Sequence, residues 1–553
     1  MKHIVAGLML LCLAARGNEV VELQILHTND IHGTIYPSLD LIDPGVPKPV
    51  YGGFARLAWL VRQQRQTCPA TLLLDAGDFF CGSPEGNRSQ GASLVKLMNA
   101  VGYHAVTLGN HDFAYGSDNL ERLGRLAEYS FLSANLQDAY TGDRPGFVRP
   151  YLILEVGKIK VGIIGLTPST TEKLATAKQI AGLAFSDERD ALEKYAKEAK
   201  RQGAKLLIVL SHLGSRKDLE LAADFPVVDL FIGGHDHVVI EPARRIGEKT
   251  YVVQVGSKGQ RLGITRLKYD LGEERIVELV SLARNVTFDL PEDSSVAELI
   301  DRLSEPGFDT IIGSSDRHLT SGEINYWVND VLRDYFEADV AFLPRGTVRD
   351  ELDSGAITRR EIYSLAPFED RIYLMQVERE RLQELVEAEL GFRDADFPIS
   401  GLEIVYDPSW AAGGKIIDLK APAGKPILKV VTTEYYVLKK KPGSIAGITN
   451  IKATDLTVDQ VIAKSLESNP RLSYRAKPVY TMQKTARPKT SLVNVNKADL
   501  RELVALPMIG PTLAKRMIEY RTKYGPFRLL EDLKKVKGIG DKQVSRLKNL
   551  VVF

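Results

Sequence analysis

Five short polar motifs, each following on a run of apolar residues, constrain this chain more than any other feature. They are Asp30-Ile31-His32-Gly33, Gly77-Asp78, Gly109-Asn110-His111-Asp112, Ser211-His212 and Gly233-Gly234-His235-Asp236-His237. The apolar runs include Leu23–Leu26, Leu72–Leu74, Val106–Leu108, Val161–Leu166, Leu206–Leu210 and Leu230–Ile232. Continuous runs of this length suit strands buried on both faces. Amphipathic stretches lie between them. In Asp187–Gln202, Leu192, Tyr195, Ala196 and Ala199 share one helical face, with Ser186 as the expected N-cap and Gly203 as the stop. Strand and helix alternate, so residues 18–285 read as a layered α/β domain. In open α/β sheets, ligands gather beyond the carboxyl ends of strands. Five polar motifs at five such ends are expected to converge on one crevice.

The residue types in that crevice suit metal. Five of the nine histidines of the chain fall in these motifs. Imidazole and carboxylate without thiolate fit borderline or hard divalent cations: zinc, manganese, iron, cobalt or magnesium. A carboxylate such as Asp78 can bridge two ions. With only Asp30 and Asp78 to offset two dications, the site would stay positive and attract a phosphate dianion. A single histidine at a strand end would read as a hydrogen-bonded structural residue. The five motifs in this order point to a metal centre.

Residues 20–285 resemble the calcineurin-like metallophosphoesterase domain of the 5′-nucleotidase family. The resemblance rests on His27-Thr28-Asn29-Asp30-Ile31-His32-Gly33, Leu108-Gly109-Asn110-His111 and Gly233-Gly234-His235-Asp236-His237. It implies one metal held by Asp30, His32, Asp78 and His237, and a second held by Asp78, Asn110, His212 and His235. It also implies His111 as the catalytic histidine. Such an ion pair supplies an activated water and neutralises charge on the phosphoryl oxygens. The chain departs from the family where an Asp usually follows this histidine by three residues: Ala114 stands there. Asp112, next to His111, is then the remaining candidate for a catalytic carboxylate.

Residues 286–470 read as a mixed α+β domain. Asn325–Phe336 carries Val328, Val331, Leu332 and Tyr335 at helical spacing, Asp339–Leu343 reads as a strand, residues 379–390 as a helix and Lys429–Thr433 as a strand. This part resembles, more weakly, the substrate domain of the same family, in which arginines bind phosphate and two aromatic rings hold the base. Arg345 and Arg349 match the phosphate-binding position, since the arginine fork suits phosphate geometry, and Phe397 is the candidate first ring. Pro344, Gly322 and the stretch Lys441–Ile445 depart from the family pattern.

The C-terminus has a different character. Residues 471–553 hold 19 Lys/Arg against 6 Asp/Glu, leaving 53 against 65 in the rest of the chain. A basic tail on an acidic body suggests a polyanion partner for the tail. Residues 471–490, with six basic residues, two prolines and no acid, have linker composition. Residues 491–553 contain Leu506-Pro507-Met508-Ile509-Gly510 and Val536-Lys537-Gly538-Ile539-Gly540. They resemble the small all-α tandem helix-hairpin-helix domain of ComEA-type DNA-uptake proteins. That implies phosphate contacts from Gly510, Lys515, Gly538, Gly540 and Lys542, aided by Arg516 and Arg546. Helix N-termini present N–H groups and positive potential to phosphate.

At the N-terminus, Lys2 and His3 precede the apolar run Ile4–Ala15, which is too short to span a bilayer. Residues 1–17 read as a signal peptide, with export to a periplasmic, surface or extracellular site. Cys12 lies in that run after Leu11, a poor lipidation context. The two other cysteines, Cys68 and Cys81, flank a strand whose length holds them too far apart for a disulfide. The chain thus reads as an exported dinuclear phosphoester hydrolase acting on nucleotides and binding DNA non-specifically through its tail. The alternatives are a DNA-tethered phosphodiesterase or nuclease, and a DNA-capture protein on a non-catalytic phosphatase scaffold.

Overall fold

The computed structural model describes residues 19–39, 50–390, 397–407, 416–440, 447–477, 479–483, 493–504, 506, 509–548 and 550–553. The expected signal peptide, Lys441–Ile445, Pro507 and Met508 lie outside them, as does the side chain of Lys542. The chain divides into two compact units, Met1–Pro306 and Gly307–Phe553. Among the described residues no helix is long and apolar enough to cross a membrane.

The first unit is built on two six-stranded sheets. One runs in the order Arg275–Asn285, Arg261–Asp270, Val20–Thr28, Thr71–Asp75, Ala105–Thr107, Ser130–Leu132. The other runs Val239–Ile246, Thr250–Val255, Leu230–Ile232, Leu206–Ser211, Ile159–Leu166, Tyr151–Val156. The first sheet is parallel from Val20–Thr28 to its edge strand Ser130–Leu132 and antiparallel towards its other edge, while the second is parallel in its centre and antiparallel at both edges. The strand Leu206–Ser211 explains the layering. Leu206, Ile208 and Leu210 face residues such as Leu23, Ile25, Leu72 and Leu74 of the other sheet. Leu207 and Val209 face the helices Glu188–Arg201 and Ser215–Asp224. Successive side chains leave a strand on opposite faces, so a strand covered on both sides must be apolar throughout. A third core packs the helices Phe54–Thr67, Ala92–Val101, Ser117–Leu126 and Ser294–Leu303 on the outer face of the first sheet. The result is helices, sheet, sheet, helices.

The local expectations hold with small shifts. The helix expected over Asp187–Gln202 spans Glu188–Arg201, but Asp187 rather than Ser186 caps it, its carboxylate accepting from Arg189 N and Asp190 N. Gly203 follows with φ 92° and ends the helix. Cys68 and Cys81 are both free thiols.

In the second unit a five-stranded sheet runs Ile399–Ser400, Val340–Phe342, Ile427–Thr433, Arg371–Glu378, Ile448–Thr457. The helix Ser321–Tyr335 starts four residues earlier than the sequence suggested, because Thr320 and Glu323 form a reciprocal capping box. The tail carries the helices Leu500–Val504, Pro511–Tyr524 and Asp541–Leu547 around a core of Val495, Leu503, Ile509, Met517, Phe527 and Val536. Two short strands, Val493–Asn494 and Val551–Val552, pair at its ends.

Candidate metal centre

The motifs that close the parallel strands meet. Asp30, His32 and His237 form one group whose ligand atoms lie within 4.8 Å of one another, and Asp78, His212 and His235 form a second. The two groups interlock. His212 Nε2 is 2.9 Å from Asp78 Oδ2 and 3.7 Å from Asp30 Oδ1, while His32 Nε2 is 3.8 Å from Asp30 Oδ1 and 4.0 Å from Asp78 Oδ2. Asn110 presents a buried Oδ1 that has no hydrogen-bond partner. A buried amide oxygen left unpaired costs about 1–3 kcal/mol, and a cation at the second group would satisfy it. The donor set is nitrogen and oxygen only, so the residues present fit two divalent ions.

The backbone is bent to aim these side chains. Asp30, His32, Asp78, His235 and His237 all have positive φ, between 51° and 86°. For residues other than glycine this region is sparsely populated and costs on the order of 1–3 kcal/mol each. Surrounding hydrogen bonds hold them there. Asn29 donates from Nδ2 to Asp30 Oδ2 at 2.8 Å and to Gly256 O at 2.5 Å, and Val255 N donates to Asn29 Oδ1. His235 N donates to both carboxylate oxygens of Asp30. The close approach also requires Gly109, where a Cβ would fall 2.2 Å from Asp78 Oδ1.

Tautomers follow from backbone carbonyls. His32 Nδ1 donates to Cys81 O at 2.9 Å, and His212 Nδ1 to Ala76 O at 2.6 Å. With Nδ1 so engaged, each ring turns its Nε2 toward the centre, the arrangement metal-binding histidines generally show. The electrostatics agree. Burial alone would raise Asp30, but His212 and His237 outweigh it and hold the carboxyl at about 2. Burial opposes a charged His212, yet Asp78 and Asp30 push it up to about 10. A proton held on His212 occupies the role that a cation takes on binding.

His111 sits at the rim on a short 3-10 turn, His111–Phe113. Its backbone N–H donates to Asp78 Oδ1 at 2.8 Å, and its ring lies edge-on to His32 with centroids 5.4 Å apart. Asp112 is not its catalytic partner. The Asp112 side chain is fully buried and accepts the backbone N–H groups of Asp78, Phe79 and Gly109 at 2.9, 3.0 and 2.8 Å. It is a structural clamp for two ligand-bearing turns, because the turn that exposes His111 points its neighbour inward. Ala114 packs on the core, and its carbonyl accepts from Gln179 Nε2.

Other expectations change in the second unit. Phe397 is 1% exposed and packs against Phe342 in the core, so it cannot stack on a base. Arg345 is exposed, and Arg349 is half-buried with its guanidinium 5.7 Å above Phe368. In the tail, Gly510 and Gly540 precede the helices Pro511–Tyr524 and Asp541–Leu547, and Gly538 takes φ 102°. Lys515 is exposed, and Arg516 donates to Lys537 O between the hairpins. Sequence reasoning missed Asn29 and Asp236 as supports, since nothing in their spacing marks the partners they find.

Comparison with known proteins agrees with this geometry. The calcineurin-like phosphoesterase family matches residues 23–239, the 5′-nucleotidase C-terminal domain residues 306–442, and the helix-hairpin-helix motif residues 488–552. The chain is 29% identical to human 5′-nucleotidase over 450 residues, covering 72% of this chain and 78% of that protein. It is 25% identical to endonuclease YhcR of Bacillus subtilis over 448 residues, covering 74% of this chain and 36% of that protein. A 5′-nucleotidase precursor of Thermus thermophilus shares the fold at TM-score 0.74 and 22% identity, over 84% of this chain and all of that one. The chain thus combines a calcineurin-like phosphoesterase domain, a 5′-nucleotidase C-terminal domain and a helix-hairpin-helix motif, and is a metal-dependent phosphoester hydrolase.

Proposed function

We propose that this protein is an exported 5′-nucleotidase-like hydrolase that releases phosphate from nucleotides and holds DNA non-specifically through its tail. The observation that carries the hydrolytic reading is the pair of interlocked ligand groups, Asp30–His32–His237 and Asp78–His212–His235. Asn110 completes the second group, and Asp78 lies between the two. Two bound divalent cations supply a water of lowered pKa and neutralise charge on the phosphoryl oxygens. The protein's own groups orient the reaction. His111, at the rim beside His32, is assigned to stabilise the phosphoryl charge or to protonate the leaving oxygen. Arg345 and Arg349 are assigned to substrate phosphate. Lys515, Gly510, Gly538, Gly540 and Lys542 are assigned to the DNA backbone, where binding reads phosphate rather than sequence. The likeness to human 5′-nucleotidase supports the nucleotide reading, and the likeness to a snake-venom 5′-nucleotidase supports an exported location.

A second reading has its own support. With Phe397 sealed in the core, the base is left without that ring, and one relative is an endonuclease. A phosphodiesterase acting on tail-held DNA would need no base clamp. Phosphate release and strand cleavage should therefore be assayed with manganese or zinc over nucleoside monophosphates, cyclic nucleotides, UDP-sugars and single- and double-stranded DNA. Release from monophosphates supports the first reading; cleavage of DNA alone replaces it with the second; no phosphoester cleavage at all would refute both.

A further inference from the structure

The helix Ser215–Asp224 begins without a cap of its own. Its N-cap position is Gly214, with φ 87°, and no side chain of the preceding segment accepts a hydrogen bond from its first turn. A helix start with open N–H groups normally recruits an acceptor, preferably an anionic one. Here the acceptor comes from another strand end. Asp236 Oδ2 takes the backbone N–H of Ser215 at 2.9 Å and the Ser215 hydroxyl at 2.6 Å. Its other oxygen, Oδ1, accepts from Gln254 Nε2 at 2.8 Å. Asp236 is exposed on its outer side, but both carboxylate oxygens are engaged.

The position of Asp236 gives these bonds meaning. It stands between His235 and His237, one from each ligand group, and both histidines hold positive φ, 86° and 58°. Gln254 is fully buried on the strand Thr250–Val255, so it is a fixed post. Three elements meet at one carboxylate: the ligand loop, the helix Ser215–Asp224 and the strand Thr250–Val255. The same helix is tied to the neighbouring strand end, since Ser211, next to His212, donates its hydroxyl to Asp218 Oδ1.

We infer that Asp236 is a positioning residue that clasps the His235–His237 loop to Ser215 and Gln254 and so aims one ligand at each metal. The inference rests on the reading of His235 and His237 as ligands. Gln254 Oε1 is buried without a partner. An Asn in place of Asp236 would keep an oxygen for Ser215 and offer an amide N–H that Gln254 meets by turning its own amide over.

The test titrates manganese into the chelator-treated full-length protein by calorimetry, with the melting temperature of the metal-free form measured alongside. Compared with wild type are Asp236→Ala, Asp236→Asn, Gln254→Ala and His237→Ala. Support for outer partners of metal ligands is commonly worth 10–100-fold in affinity. At an exposed residue the lower end applies, so Asp236→Ala should weaken manganese binding about tenfold, with turnover recovering in excess manganese. Gln254→Ala should weaken it by about threefold, and Asp236→Asn should stay within about twofold of wild type. Unchanged manganese affinity in Asp236→Ala, with only a lower melting temperature, overturns the proposal, as does Asp236→Asn binding as weakly as Asp236→Ala. If Asp236→Ala does not fold, Gln254→Ala decides, wild-type affinity there overturning it. Wild-type affinity in His237→Ala would instead overturn the ligand assignment beneath it.

Discussion

The Nε2 atoms of His32 and His237 lie 3.1 Å apart, although 205 residues separate them. His32 already donates from Nδ1 to Cys81 O, which leaves its Nε2 to meet the Nε2 of His237 at one point. Two such nitrogens beside the Asp30 carboxylate make a cation site. His237→Ala should therefore reduce bound metal toward one ion per chain, read by elemental analysis after dialysis, whereas two ions retained would show that the ring is no ligand.

Asp78 is shared between the two groups, so its loss should cost more. Asp78→Asn is expected to lower kcat by about a thousandfold, the equivalent of roughly 4 kcal/mol of transition-state stabilisation. Binding of a DNA duplex by the same variant, followed by fluorescence anisotropy, should match wild type. Loss of both activities together would point to a folding defect.

Asp112 offers a contrast within the same motif. Its carboxylate satisfies three buried backbone N–H groups. Asp112→Ala would leave them open at about 1–3 kcal/mol each. Denaturant unfolding should show at least about 3 kcal/mol of lost stability. A variant of wild-type stability with impaired turnover would restore a catalytic role to this residue.

His27 makes stability depend on pH. It is fully buried, both ring nitrogens lack partners, and burial lowers its pKa to about 3. The folded state keeps the ring neutral, while the unfolded chain takes a proton below its ordinary value of 6.5. Stability from this group is intact above pH 6.5 and is lost as pH falls toward 3. By pH 5 the loss amounts to about 2 kcal/mol. Unfolding of the metal-free protein between pH 7 and 5 should show it, and His27→Leu should flatten the profile; an equally steep profile in that variant would assign the dependence elsewhere.

In the tail, Gly538 has φ 102° and a Cβ there would lie 2.9 Å from Leu513 Cδ2. Gly538→Ala should cost about 1–3 kcal/mol locally and weaken DNA binding, with phosphoester hydrolysis unaffected. Wild-type DNA affinity would show that this hairpin does not carry the contact. Binding by the unaltered tail should fall linearly on a logarithmic salt scale, with a slope near −0.9 per phosphate neutralised.

Much of this was legible in the chain. The apolar runs named the buried strands because a strand covered on both faces has no polar position to spare, and the polar motifs at their ends supplied the six residues of the two candidate metal groups, with Asn110 as the expected seventh. The glycine-bearing hairpins and charge of the tail were equally plain. Other features depend on partners distant in sequence. The Asn29 bond to Gly256 spans 227 residues, and the Asp236 bond to Ser215 spans 21. Asp112 turned inward and Phe397 went to the core because backbone torsion and packing, which residue type does not encode, choose between two faces.

Chemistry at strand ends was thus written in residue type and order, since ligand atoms and apolar periodicity are local properties of the chain. Orientation was decided only by the tertiary structure. The positive φ values of Asp30, His32, Asp78, His235 and His237 are costly by themselves and persist because hydrogen bonds and packing from remote segments over-determine them.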